Sequence, residues 1–269
     1  MIICKKPLMI SRRLSGARCC VLFTTRNCPE KYLKTQTGQT MSEIIIALDF
    51  DSREKTLNFV RKISARNIWV KVGLELFIRC GPGIVEELKD MGLKVFLDLK
   101  LMDIPNTVYG AVSSSLSCGA DMITLHALGG EKMIDQARNA RARFGNSKNK
   151  AILLGVTLLT SLDRHDLPWP DTRTTNAITL DLAKKVYSWG LDGCVCSGLE
   201  AQDVRNSTSP DFCLVTPGIR LQPLGDDQKR VVTPESAQKS GSDFLIIGRP
   251  VTQSPDPVHT LRDIRKRLN

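Results

Sequence analysis

The sequence predicts an α/β protein, a single-domain (β/α)8 barrel of the TIM type, and three observations carry that prediction. From Met41 onward, eight short apolar runs alternate with polar-apolar stretches of helical period. The runs are continuously apolar, as strands of a parallel sheet covered on both faces are. All eight units fit into about 230 residues with no linker and no shift in composition, which suits one closed barrel better than two domains. An open doubly wound sheet would carry a glycine-rich turn after its first strand, and Asp49-Phe50-Asp51-Ser52 has none.

Strands are expected, in order, over Ile44–Asp49, Ile68–Val72, Lys94–Leu99, Met122–His126, Ala151–Leu158, Gly193–Cys196, Phe212–Val215 and Phe244–Ile247. The intervening helices are expected over Arg53–Ala65, Gly83–Met91, Thr107–Cys118, Gly130–Phe144, Thr175–Trp189, Ala201–Arg205 and Thr233–Ser240, with Pro257–Leu268 closing the chain. Their ends have chemical reasons. Asp51-Ser52 is a capping-rich opening, and Thr233-Pro234 sets a capping hydroxyl before a proline at the first helical position. Gly92, Gly119, Gly190 and Gly241 follow helical segments, where glycine takes the left-handed closing conformation.

The net charge of +10 invites a nucleic-acid reading, and its distribution withdraws the invitation. Residues 1–40 hold eight Lys/Arg and one acid, while the other 229 residues hold 30 basic and 27 acidic side chains. The body is close to balanced, so a general polyanion surface is not indicated. Residues 1–40 are set apart as a leader, either an over-long start before Met41 or a genuine targeting segment, and residues 41–269 form the barrel domain. No apolar run reaches the roughly 18–20 residues needed to span a bilayer. Nine cysteines, without a CxxC pair, and three scattered histidines give little support to a zinc site. Cys194 and Cys196 flank Val195 in an apolar strand and are expected to pack as small buried hydrophobes. An odd, unpaired set fits a reducing compartment, and the expectation is a cytoplasmic protein.

Chemistry in such barrels sits at the C-terminal strand ends, and those ends are polar here. Strand one closes on Asp49, strand two carries Lys71, strand three ends in Asp98 and Lys100 with Asp103 just beyond, and strand four ends in His126. Thr157, Thr160 and Ser161 follow strand five, and Ser197 closes strand six. Residues two apart on a strand share a face, so Asp98 and Lys100 are expected to project together. Two carboxylates and an ammonium on an otherwise apolar strand cost several kcal/mol per ion unless they pair. After strands seven and eight, Gly218-Ile219-Arg220 and Gly248-Arg249 offer close backbone approach and forked donors suited to phosphate. The long connection Leu221–Val232 has the length of a lid. His126 is expected to be a hydrogen-bonded structural residue. His165 and His259 carry no specific expectation, Trp169 is read as a packed turn, and Arg138, Arg141 and Arg143 as a solvated helix face.

Asp98-Leu99-Lys100-Leu101-Met102-Asp103-Ile104-Pro105-Asn106-Thr107 resembles the DxKxxDIPNT motif of the orotidine 5′-phosphate decarboxylase family. Ile46–Asp49, Val70–Gly73, Val156–Ser161, Val215–Arg220 and Ile247–Thr252 resemble its first, second, fifth, seventh and eighth strand ends, so the likeness spans residues 44–257 in the layout of the bacterial branch. It implies decarboxylation of orotidine 5′-monophosphate to uridine 5′-monophosphate, in pyrimidine synthesis, without cofactor or metal. It also implies that Lys100 protonates C6 within a charge network of Lys71, Asp98, Lys100 and Asp103. Asp49 and Lys71 would contact the ribose, Thr160 the pyrimidine edge, and Gln228, Gly248 and Arg249 the phosphate, with Arg220 supporting that end. Asp103 and Thr107 would reach into a neighbouring subunit, which requires at least a homodimer. Two rivals stay open: Mg²⁺-dependent sugar-phosphate lyases and decarboxylases that resemble the same barrel, and a non-catalytic barrel binding a nucleotide, or nucleic acid through its basic leader.

Overall fold

The computed structural model describes residues 41–63, 68–144, 151–167, 172–221 and 230–269. Strand β1 (Glu43–Ala47) leads through α1 (Arg53–Ile63) to β2 (Trp69–Gly73), and α2 (Leu74–Cys80) with α3 (Gly83–Asp90) to β3 (Lys94–Leu101). Helix α4 (Pro105–Ser117), β4 (Met122–His126), α5 (Glu131–Arg143), β5 (Ile152–Val156), α6 (Thr175–Ser188) and β6 (Gly193–Val195) follow. The chain ends through α7 (Ala201–Asn206), β7 (Cys213–Thr216), α8 (Pro234–Lys239), β8 (Phe244–Ile247), α9 (Arg249–Thr252) and α10 (Pro257–Leu268). All neighbouring strands are parallel, and β8 pairs with β1 to close the barrel in sequence order. The expected (β/α)8 architecture is therefore present.

Strand alternation divides the apolar residues into two cores. Ile45, Ala47, Trp69, Phe96, Met122, Leu154, Val215, Phe244 and Ile246 fill the barrel interior. The opposite parity, including Ile46, Val70, Leu97, Ile123, Leu153 and Ile247, packs against the helices. Cys194, Cys196 and Cys213 are buried thiols, as expected of the first two. Thr233 caps α8 by accepting from Ser236 N–H at 3.2 Å, and Gly92, Gly119, Gly190 and Gly241 all have positive φ. Gly193 opens β6 for a spatial reason: a Cβ there would stand 2.2 Å from the Cys213 carbonyl oxygen on the neighbouring strand.

Several boundaries move. Strand β1 stops at Ala47, because Leu48 N–H makes the last bond to the Lys71 carbonyl, and Asp49 lies in the loop beyond. Strand β5 is shorter than expected and β3 runs two residues longer, to Leu101. Helix α2 falls outside the expected elements. It is a single short segment, Leu74–Cys80, apolar on more than one face, with Leu76 buried, Phe77 and Cys80 against the core and Leu74 and Ile78 exposed, so it shows no one-sided apolar stripe. The solvated-face reading of Arg141 is corrected: its guanidinium pairs with the Asp192 carboxylate and donates to the Ala151 carbonyl at 3.1 Å. Trp169 lies outside the described residues.

The register is pinned at the N-terminal face by a contact made three times. Asp121, just before β4, accepts from Val95 N–H at 2.7 Å and from Lys89 Nζ at 2.6 Å. Asp192, before β6, accepts from Leu153 N–H at 2.8 Å and pairs with Arg141. Asp243, before β8, accepts from Leu214 N–H at 2.7 Å and from Arg205 Nη2 at 2.6 Å. Each carboxylate thus joins two strands and the helix that precedes the first of them. The corresponding position before β2 is Ile68, a buried apolar residue.

Candidate active site

The interior parity that stacks apolar side chains through the barrel continues upward into polar ones. Lys71 follows Trp69 by two residues, Asp98 follows Phe96 and Thr124 follows Met122, so all three side chains stand above the apolar layers at the C-terminal mouth. Lys71 Nζ reaches Asp49 Oδ1 at 2.8 Å and Asp98 Oδ2 at 3.9 Å, and Lys100 Nζ reaches Asp98 Oδ1 at 3.0 Å. The result is an unbroken alternation Asp49–Lys71–Asp98–Lys100. Asp98 is 8% exposed, and a carboxylate at that depth is tolerable because an ammonium flanks each of its oxygens. Gly73 leaves room for the arrangement, since a Cβ there would come 3.0 Å from Lys71 Nζ.

Asp98 and Lys100 do meet, though not by simple pleating. Strand β3 pairs with β4 through Leu97–Ile123 and then Leu101–Leu125, so three β3 residues face one on β4. Within this bulge Lys100 has φ +51°, a left-handed conformation that costs a side-chain-bearing residue about 1–2 kcal/mol. Thr124 stabilises it. Its Oγ1 accepts from Lys100 N–H at 2.9 Å and lies 3.1 Å from Asp98 Oδ1.

His126, at the end of β4, accepts from Leu128 N–H through Nδ1 at 3.3 Å, the structural role expected of it. Burial first, and the Lys100 charge second, push its pKa below the ordinary histidine value, which keeps the ring neutral at neutral pH and Nδ1 an acceptor.

Asp103 and Thr107 stand apart from this group. Asp103 is exposed and accepts from Ile104 N–H at 2.6 Å, and Thr107 is exposed in the first turn of α4. Thr160 lies half-buried after β5. Gly248 follows β8 next to β1: a Cβ there would lie 3.8 Å from Asp49 Oδ2, and Arg249 is exposed at the start of α9. Arg220 is buried and donates to the Ile219 carbonyl at 3.0 Å, after Gly218 turns the chain at φ +76°. Gln228, with most of the Leu221–Val232 connection, lies outside the described residues.

Thr124, Arg230 and Glu200 carry no expectation from sequence. Arg230, at the foot of that connection, donates to the carbonyls of Leu159 (2.9 Å), Leu162 (3.1 Å) and Thr160 (3.4 Å) and pairs with the buried Glu200 carboxylate. It ties the loop after β7 to those after β5 and β6. The only sequence-level cue is a basic residue next to a predicted lid, which is too common to single out.

A parallel barrel with alternating acids and ammonium groups gathered around its C-terminal mouth has the layout of a barrel enzyme. The model of the family described as "Orotidine 5′-phosphate decarboxylase / HUMPS family" matches residues 42–264. A protein of Maridesulfovibrio salexigens named orotidine 5′-phosphate decarboxylase is 47% identical over 229 residues, covering 85% of this chain and all of that one. One of Neisseria meningitidis serogroup B with the same name is 44% identical over 237 residues, covering 87% and 95%. The crystal structure of orotidine 5′-phosphate decarboxylase from Lactobacillus acidophilus matches with a TM-score of 0.76 at 35% identity, covering 85% of this chain and 99% of that chain. The chain belongs to the orotidine 5′-phosphate decarboxylase / HUMPS family.

Proposed function

We propose that the chain converts orotidine 5′-monophosphate to uridine 5′-monophosphate and CO₂ without a metal or other cofactor, and that residues 41–269 contain the whole catalytic domain. The observation that carries this reading is the Asp49–Lys71–Asp98–Lys100 alternation at the barrel mouth. When the C6–carboxylate bond breaks, its electron pair stays on a ring carbon whose orbital lies in the ring plane and cannot delocalise into the π system. A fixed ammonium beside that carbon stabilises the developing charge, and preorganised electrostatics of this kind are usually the largest catalytic contribution. Lys100 then transfers an Nζ proton to C6, so the carbanion need not persist. Asp98 holds Lys100 in place, and Asp49 and Lys71 meet the ribose hydroxyls. Thr160 meets the pyrimidine edge. Gln228, Gly248 and Arg249 take the phosphate with Arg220 behind them, and phosphate binding helps close the connection after β7.

The test is the ultraviolet absorbance change of orotidine 5′-monophosphate with EDTA-treated protein, run on the full chain and on residues 41–269. Equal, metal-free conversion by both supports the reading. Dependence on added Mg²⁺, with turnover of a sugar phosphate instead, would favour the lyase alternative. Loss of function on removing residues 1–40 would favour a role carried by the leader. The free thiols of the barrel support a reducing, cytoplasmic setting, and among the described residues no helix is long and apolar enough to cross a membrane.

The working unit in this reading is a homodimer in which Asp103 and Thr107 complete the partner's site. Its support is a set of exposed apolar side chains after the adjacent strands β2 and β3: Leu74, Ile78, Met102 and Ile104, the last flanking Asp103 and 68% exposed. Lys100→Ala and Asp103→Ala proteins, each impaired alone, should complement when refolded together. Random pairing makes half the dimers mixed, each with one intact site, so about a quarter of parental activity should return. No recovery from a demonstrably mixed dimer would place Asp103 outside the partner's site.

A further inference from the structure

The bulge in β3 deprives Lys100 of an ordinary ladder partner, since Asp98, Leu99 and Lys100 all stand opposite Thr124. What replaces it is a side chain. A hydroxyl has one hydrogen and two lone pairs, and an N–H can only donate, so Thr124 Oγ1 accepts from Lys100 N–H at 2.9 Å. Its own hydrogen is then available for Asp98 Oδ1 at 3.1 Å, the oxygen that Lys100 Nζ reaches at 3.0 Å. The three bonds close a ring through the Lys100 backbone, the Thr124 hydroxyl, the Asp98 carboxylate and the Lys100 ammonium. Thr124 is fully buried, so water does not stand in for the hydroxyl.

We propose that Thr124 is a positioning residue for the reaction: its hydroxyl fixes the left-handed backbone of Lys100 and the orientation of Asp98 together, and so sets where the Lys100 ammonium points. The inference rests on Lys100 being the proton donor proposed above. Thr124 acts through Lys100 and Asp98 rather than on substrate. Its loss should therefore lower turnover while leaving the ribose and phosphate contacts intact.

Thr124→Val keeps the β-branched shape and removes the hydroxyl. A misplacement of about 1 Å at a reacting group can cost about 10²-fold, and a fall in kcat of that order, with KM within about twofold, is expected. Thr124→Ser restores the hydroxyl and should return kcat to within about fivefold of the parent. Parental kcat in Thr124→Val, equal losses in the serine and valine variants, or a loss confined to KM would each overturn the proposal. Thr124→Cys, a far weaker hydrogen-bonding group of similar size, carries the same kcat-against-KM test should the valine variant lack a cooperative unfolding transition. The underlying reading fails separately: a parent inactive on orotidine 5′-monophosphate, or a Lys100→Ala protein that still turns it over, sinks the assignment of the donor. An active parent, a dead Lys100→Ala and an unimpaired Thr124→Val sink only the role of Thr124.

Discussion

Replacing Lys100 with alanine is expected to lower kcat for orotidine 5′-monophosphate by at least about 10⁴-fold while the protein stays folded. Two contributions vanish together. One preorganised group facing developing charge is worth roughly 10²–10³, and a positioned proton donor roughly 10²–10⁴. Folding should survive because a third of the Lys100 side chain is already exposed and Asp98 keeps Lys71 and Thr124 as partners. Lys100→Arg retains the charge but delivers it as a broad, planar group that does not give up its proton at neutral pH; it should be nearly as inactive. Single-turnover absorbance, with an urea unfolding curve on the same samples, checks both halves. Activity within tenfold of the parent would remove Lys100 from the chemistry.

The second large effect lies on the opposite face and concerns stability. Arg205→Met should destabilise the protein by about 3 kcal/mol, the lower end of the cost of leaving one member of a buried pair uncompensated, since both side chains are mostly but not wholly buried. Arg205 donates to Asp243 and to the carbonyls of Ser209, Phe212 and Gly241, so its removal also takes that donor from the Phe212 and Gly241 carbonyls. Burial raises the Asp243 carboxyl above its ordinary value, Arg205 opposing the rise. A carboxyl whose folded pKa is raised binds its proton more tightly in the folded than in the unfolded state. Its ionisation therefore costs stability as pH climbs above the unfolded value of about 3.9. Without Arg205 that cost grows, so the deficit should be greatest at neutral pH and shrink as the medium is acidified towards the Asp243 pKa. Urea unfolding of both proteins across that range measures it. Breaking the exposed Lys55–Asp51 pair, as a control, should leave the unfolding midpoint nearly unchanged, because solvent screens it. A deficit for Arg205→Met no larger than that control would rule out Arg205 as a stabilising partner of the Asp243 pin.

These two sites differ in how visible they were before folding. Lys100 stood out because a charged pair on an apolar run is anomalous within a dozen residues, and the eight apolar runs themselves announced the barrel. The bulge that orients Lys100 was hidden, since Asp98-Leu99-Lys100-Leu101 reads as regular alternation and only the pairing with β4 shows three residues against one. Thr124 was invisible for the same reason: its partners lie 24 and 26 residues away. Arg141 misled, because a helix carrying Arg138, Arg141 and Arg143 looks uniformly solvated until Asp192 is brought beneath it. Local pattern exposes periodicity and unusual burial, whereas bonds between distant loops require the closed sheet.

The carboxylate pins at Asp121, Asp192 and Asp243 have an implication for how such a molecule can be altered. They settle strand alignment at the rim away from the reacting groups. Segments following β5, β6 and β7 on the other rim could therefore be grafted from a relative, or randomised, with little penalty to alignment. Engineering for a new substrate should leave those three aspartates and their cations untouched and confine diversity to the mouth.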